Sequence, residues 1–198
     1  MTNINHKTYA MNAITPMKWW KTWIVRLFFL YLGEVTSAQS DLKQLSFIHF
    51  ARWVIVKRNQ FPHITPEQPK ESMRYDYLLF FSNFNGTWNE YIDAFSAVLS
   101  DGLNIIWRWS EKFPGSVPVT PFKQYIARCQ FDTDYYYTAY PYATTNDVKA
   151  AHRVKAALNQ LEKETAGKSP EEFAQAYLKF LVAVQCDIGE TGRAPVGS

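Results

Sequence analysis

The stretch SFIHFARWVIV, residues 46–56, constrains the fold more than any other part of the chain. Its β-branched and aromatic side chains suit a pleated surface and predict a strand. Alternation puts Phe47, His49, Ala51, Trp53 and Ile55 on one face, and Ile48, Phe50, Arg52, Val54 and Val56 on the other. Both faces are mostly apolar, so the strand is expected to be covered on both sides. A sheet backed by its own helices on one side leaves the second side open. A homodimer packing sheet on sheet, or a helix from the N-terminal segment, would close it.

The rest of the chain divides by the same signals. A polar loop, residues 57–74, holds Pro62, Pro66 and Pro69, and Tyr77–Phe84 forms a second strand ended by Asn85-Gly86. Thr87 and Glu90 make a capping-box pattern, and Tyr91, Ile92, Phe95, Val98 and Leu99 recur at helical spacing. Asp101-Gly102 predicts a break before a short helix, Leu103–Trp109. Two further strands are expected over Phe122–Ala127 and Tyr135–Tyr140, then a helix from Thr145 or Asn146 to about Glu164. Ser169-Pro170-Glu171-Glu172 opens a last helix, with a cap, a proline at the first helical position and acids in the first turn. The expected architecture is α+β: a ferredoxin-like, four-stranded, mostly antiparallel sheet with helices on one face, plus an N-terminal amphipathic helix. Three regions follow: a basic and aromatic segment (1–40), the α+β domain (41–188) and a short polar tail expected to be disordered (189–198).

The segment MKWWKTWIVRLFFLYLGEV, residues 17–35, puts three tryptophans and three cations around an apolar run. Lys7, Lys18, Lys21 and Arg26 against Glu34 give residues 1–35 a charge of +3, the formal net charge of the whole chain, so the body sums to zero. A nucleic-acid interface is expected to spread basic residues over the folded body, and this body is neutral. The asymmetry instead suits attraction to an anionic membrane surface. The apolar run Trp23–Leu32 is ten residues long and holds Arg26, whereas a membrane span needs about twenty. Read from Met17, the segment also has the parts of a secretory signal, with Thr36-Ser37-Ala38 as a small-residue cleavage site. On a helical wheel Lys18, Lys21, Thr22 and Arg26 share an arc of about 140°, with Val25, Phe29 and Leu32 intruding on it. Trp19, Trp20, Trp23, Leu27, Leu30 and Tyr31 lie opposite, with Pro16 in the first turn and Thr15 as cap. Three readings stay open: an interfacial helix, a helix packed on its own domain or on a partner, and a signal or anchor over residues 17–38. The first makes the protein cytoplasmic and peripherally membrane-associated; the last makes it secreted or anchored. Lys18, Trp19, Trp20, Lys21, Trp23 and Arg26 are the expected membrane contacts.

Candidate chemistry is sparse. His49 and Arg52 interrupt the first strand but leave it on opposite faces, and Asp132 and Asp134 lie beside a run of tyrosines. His49, Arg52 and Asp134 are the candidate catalytic groups. Trp53, Asn83, Asn85, Trp88 and Tyr137 are candidate ligand contacts around an apolar pocket. Cys129 and Cys186 are expected as unpaired thiols, and no Cys/His spacing suggests a metal site. Nucleotide loops, a nucleophile elbow and zincin motifs are absent from the sequence.

The order strand, long loop, strand, Asn-Gly and helix, from His49 to Phe95 within residues 46–140, resembles bacterial proteins of the dimeric α+β barrel superfamily. That superfamily includes small monooxygenases, chlorite dismutases and dye-decolourising peroxidases. The resemblance implies a ferredoxin-like protomer, a homodimer and, in the haem members, a histidine on a helix. The one histidine on an expected helix is His152, which points about 130° from its helix's apolar side, so the sequence does not support haem and leaves the cofactor unknown. Two functions fit. One is a membrane-associated homodimer that binds an apolar or lipid-like ligand or a partner protein. The other is a small monooxygenase- or peroxidase-like enzyme using a dimeric-barrel cavity.

Overall fold

The computed structural model describes residues 3–34, 45–60, 62 and 64–188. The expected tail (189–198) and the cleavage site at Thr36-Ser37-Ala38 lie outside the described residues. The elements are β1 (Ile4–Asn5), β2 (Thr8–Met17), α1 (Thr22–Glu34), β3 (Ile48–Val56), β4 (Asp76–Asn85), α2 (Trp88–Trp107), α3 (Val119–Cys129), β5 (Gln130–Phe131), α4 (Thr145–Thr165) and α5 (Pro170–Val184). The fold is α+β. Its sheet runs β1-β2-β4-β3, with β5 also on β2, and every pairing is antiparallel.

Strand β4 is the centre of the assembly. Its side chains Leu78, Phe80 and Phe84 are fully buried on the face that carries the helices. Phe80 lies 5.0 Å from Trp53, 5.2 Å from Trp107 and 6.0 Å from Phe95, while Phe84 stacks on Tyr91 at 3.9 Å. Helix α2 is set over this face by the capping box of Thr87 and Glu90, as its sequence signature predicts. Rings of this size each bury enough apolar area to stabilise by about 2–3 kcal/mol, so the ladder along β4 anchors the core.

Several expectations change. Residues 8–17 are not part of a separate segment but form a long strand beside β4. Thr15 is buried and bonds Leu78 O and Ser110 Oγ, so it caps no helix. Pro16 is tolerated because β1 and β5 flank β2 only as far as Ala13, and beyond them there is one isolated bridge, Met17–Ser110, in which Pro16 serves as an acceptor, its O taking Glu111 N at 2.8 Å. Phe122–Ala127 is helical: Phe122, Tyr125, Ile126 and Cys129 follow a helical period, and Pro121 falls in the first turn, where no intrahelical bond is lost. Tyr135–Tyr140 forms no strand, because the free edge of β2 is already taken by β1 and β5. Helix α2 runs through Gly102 to Trp107, with its irregularity at Leu99 (φ −118°, ψ 22°).

The first expected strand, β3, is an edge strand with one covered face. Ala51, Trp53 and Ile55 pack on the core, while His49, Phe50, Arg52 and Val54 are exposed, Phe50 at 53%. A bulge between Ile48 and Phe50 sets His49 out of register. Helix α1 does not shield the outer face, since it packs beside α2 through Val25, Phe28 and Phe29. Part of that outer face is instead spanned by residues 132–144. There Asn12 Nδ2 donates to Thr133 Oγ1 at 2.7 Å, and Asn5 Nδ2 donates to Tyr136 O at 2.9 Å.

Helices α4 and α5 pack on each other, joined by the Arg153–Asp187 ion pair. The head of α4 is tied to the sheet by Asn85. Its Oδ1 accepts from Thr145 N (3.0 Å) and Oγ1 (3.2 Å), and its Nδ2 donates to Lys7 O (2.8 Å). Asn85→Ala strips buried groups of these partners and should lower stability by about 2–3 kcal/mol in denaturant unfolding. Amide exchange at the first turn of α4 should accelerate with it. A change within 0.5 kcal/mol would show the junction to be dispensable.

Candidate functional site

The rotation of α1 decides what this chain shows to its surroundings. A single 3-10 turn, Trp19–Lys21, leads into the helix, and its last basic residue, Lys21, lies over the rings of Trp20 (5.3 Å) and Trp109 (6.0 Å). The hydroxyl of Thr22 donates to the Asp76 carboxylate at the head of β4, and Arg58 N donates to the other oxygen of Asp76 at 2.9 Å. Both Thr22 and Asp76 are buried. With Thr22 held inward, Val25, Phe28, Phe29 and Leu32 follow it onto the core. The intruding apolar residues of the expected polar arc are therefore the inner face of the helix.

The opposite face then has no choice but to point out. Trp19, Trp20, Trp23 (60% exposed), Leu27, Leu30 (68%) and Tyr31 form a continuous apolar surface. Cations border it. Lys18 lies 4.0 Å from Glu111, Arg58 stacks on Trp19 at 5.0 Å, and Arg26 is exposed. No described helix is long and apolar enough to cross a membrane.

Under α1 lies an apolar cavity of about 270 Å³, walled by Phe28, Phe29, Trp53, Phe95, Leu99 and Ile106 among others. Gly33 and Gly102 also line it, and a Cβ built at either meets nothing within 4 Å. Neither glycine has a positive φ, so neither is required by backbone geometry. Trp53, which lines this space, and Trp107, packed against Trp53 at 6.3 Å, have buried indole Nε1 groups without a hydrogen-bond acceptor among the described residues. An unpaired buried donor costs about 1–3 kcal/mol, and an acceptor on a bound molecule would relieve that cost.

The other sequence-predicted residues do not converge. His49 sits at the bulge beside Asn85; although part of the residue reaches solvent, desolvation of its imidazole lowers its pKa, against a smaller opposing effect of the Asn85 bond. Arg52 leaves the outer face and covers the Phe81 ring at 4.9 Å. Asp134 is exposed on the segment that crosses that face. Asn83 Nδ2 donates to the Tyr136 hydroxyl, whose pKa is raised by burial. Tyr137, the expected ligand contact, is 70% exposed, so its neighbour is the structural one. Trp88 Nε1 donates to Gln130 Oε1 at 2.7 Å, joining α2 to β5. Asn83, Asn85 and Trp88 thus hold the fold together, and of the expected ligand contacts only Trp53 lines the apolar cavity. His152 is exposed on α4. Cys129 and Cys186 are both free, and no cluster of three His, Cys, Asp or Glu that could hold a metal occurs among the described residues.

Sequence reasoning missed Phe28, Phe29, Gly102 and Asp76 as site residues. The available signal was that α1 is apolar in nearly every direction, which implies two apolar faces rather than one. No family model, curated protein or solved structure matches the chain.

Two outcomes follow. Gly102→Ala should raise stability by about 1 kcal/mol through helix propensity alone, whereas Gly102→Leu should fill the cavity and abolish uptake of a neutral naphthalene dye by the wild-type protein. Retained dye binding in Gly102→Leu would place the dye elsewhere. For His49, the folded state binds its proton less readily than the unfolded chain. Stability is therefore present above the unfolded value of about 6.5 and falls as pH drops through the lowered folded pKa. His49→Gln should flatten that acid limb in urea titrations taken between pH 7 and pH 5.

Proposed function

We propose that this protein docks peripherally on an anionic bilayer through the outer face of α1 and takes the apolar part of a lipid-like molecule into the cavity beneath it. One observation carries the reading: α1 and the 3-10 turn before it keep Trp19, Trp20, Trp23, Leu27, Leu30 and Tyr31 in solvent although the other face of α1 already fills the core. Indoles bordered by cations are the side chains suited to a headgroup layer, and partition grows with the apolar area they bury there. The cavity supports the ligand half of the reading, since Phe28 and Phe29 separate it from the exposed surface by one helix width.

The strand order β5-β2-β4-β3, with α1 and α2 on one face, supports a ferredoxin-like layout to which β1, α3 and the α4–α5 pair are additions. The open strip of Phe50 and Val54 on the outer sheet face is the surface a second copy would cover. The oxidative-enzyme alternative gains nothing from His49, Arg52 and Asp134, which lie apart.

Trp23→Ala with Leu30→Ala removes two large side chains from the outer face, each contributing about 2 kcal/mol on burial. Vesicle co-sedimentation should show a loss of at least tenfold in partition, with unchanged circular dichroism and thermal midpoint. Equal sedimentation of this variant and wild type would end the docking reading. Native mass of wild type against Phe50→Glu reads the dimer: a shift to monomer supports it, and a monomer in both removes it.

A further inference from the structure

A second feature lies at the opposite end of α1 from the cavity. Where the 3-10 turn meets β3 and β4, a groove of about 490 Å³ is lined by Trp19, Trp23, Arg26, Lys57, Arg58 and Asp76. Arg26 and Lys57 also line the next groove along α1, again about 490 Å³, whose remaining walls include Phe29, Leu30, Trp53, Val54 and Ile55. The two grooves are therefore joined at a pair of cations, charged and indole-lined on one side and mainly apolar on the other.

None of Arg26, Lys57 and Arg58 makes an ion pair with a carboxylate among the described residues. Asp76, the one acid in the groove, is buried in its floor with its oxygens taken by the Thr22 hydroxyl and the Arg58 amide. Three cations against that carboxylate leave the groove with two positive charges in excess. Guanidinium forks and an ammonium converging on one space match the oxygens of a phosphate. An aromatic cage for a quaternary ammonium is not free here, because Arg58 already covers Trp19 and Lys21 already covers Trp20.

The geometry points to a headgroup site: the groove between α1 and the β3–β4 ends binds the phosphate of an anionic glycerophospholipid through Arg26, Lys57 and Arg58, with the acyl chain leaving past Leu30 and Trp53. This assignment rests on the membrane-docking reading and adds to it the class of lipid and the residues that select it. A soluble phosphate ester shares the phosphate chemistry but would leave the apolar half of the groove and the outer face of α1 without a partner.

The test uses the full chain and vesicles of phosphatidylcholine alone or with phosphatidylglycerol. Wild type should prefer the anionic vesicles. Arg26→Gln, Lys57→Gln and Arg58→Gln together should cost roughly a hundredfold on those vesicles, at about fivefold per cation, while weak binding to neutral vesicles persists. Lys57→Gln alone should move in the same direction, about fivefold, should the triple variant fail to fold. A control carrying Lys149→Gln, Lys155→Gln and Lys163→Gln on α4 removes the same charge elsewhere and should bind as wild type does. Monomeric dihexanoyl phosphatidylglycerol should compete with the vesicles where inorganic phosphate at equal concentration does not. If the groove variants bind anionic vesicles like wild type while Trp23→Ala/Leu30→Ala does not, the headgroup site is overturned and membrane docking stands. Equal losses in the α4 control, or equal competition by inorganic phosphate, also overturn it. Wild type bound to neither vesicle removes both.

Discussion

A buried carboxylate at the first residue of β4 sets the rotation of α1, and the rest of the molecule's surface character depends on it. Asp76 accepts from the Thr22 hydroxyl and from the Arg58 amide, joining the helix start, the exit of β3 and the central strand at one point. Turning α1 by a third of a revolution would strand that carboxylate without its hydroxyl partner, and a buried charge stripped of hydrogen bonds is expensive. The same rotation would swap Val25 and Phe29 for Trp23 and Leu30 against the core. Apolar contact alone would tolerate that exchange. The hydrogen bonds do not, so a polar pair decides which apolar face is shown.

The space beneath α1 follows from the same placement. The ladder of rings along β4 is closely spaced, yet it stops short where Gly33 and Gly102 withhold side chains on facing helices. Glycine inside a helix costs about 1 kcal/mol relative to alanine, and two such positions border one void. Trp53, whose buried indole donor has no partner among the described residues, lines it. A void and helical glycines each lower stability, and here they fall at one place together with the unpaired indole of Trp53.

Much of the architecture was legible in the sequence, in particular where chemistry acts locally. The capping boxes at Thr87 and Ser169, and the alternation of β3 and β4, read directly because they depend on side chains a few residues apart. The second face of β3 stays open in the protomer, with Phe50 and Val54 exposed along the sheet edge, and alternation by itself does not reveal what covers it. Strand β2 was hidden for a different reason. Its register on β4 is set some seventy residues away, and Thr15-Pro16 imitates a helix start. The tyrosine run at 135–140 carries β propensity, but an edge can be paired only once. At the site, Trp19, Trp23 and Arg26 were legible from composition, whereas Asp76, Lys57 and Arg58 join them only through the crossing of three elements.

The irregular residue inside α2 has a consequence for the cavity it borders. At Leu99 the backbone leaves helical geometry, and α2 kinks where it walls the cavity. Bending there gives up little that an unbroken helix would have to surrender. The helical stretch beyond Leu99 carries Gly102, Leu103 and Ile106 onto the cavity wall. The wall of the chamber is therefore made of two helical segments that meet at Leu99 rather than of one unbroken helix.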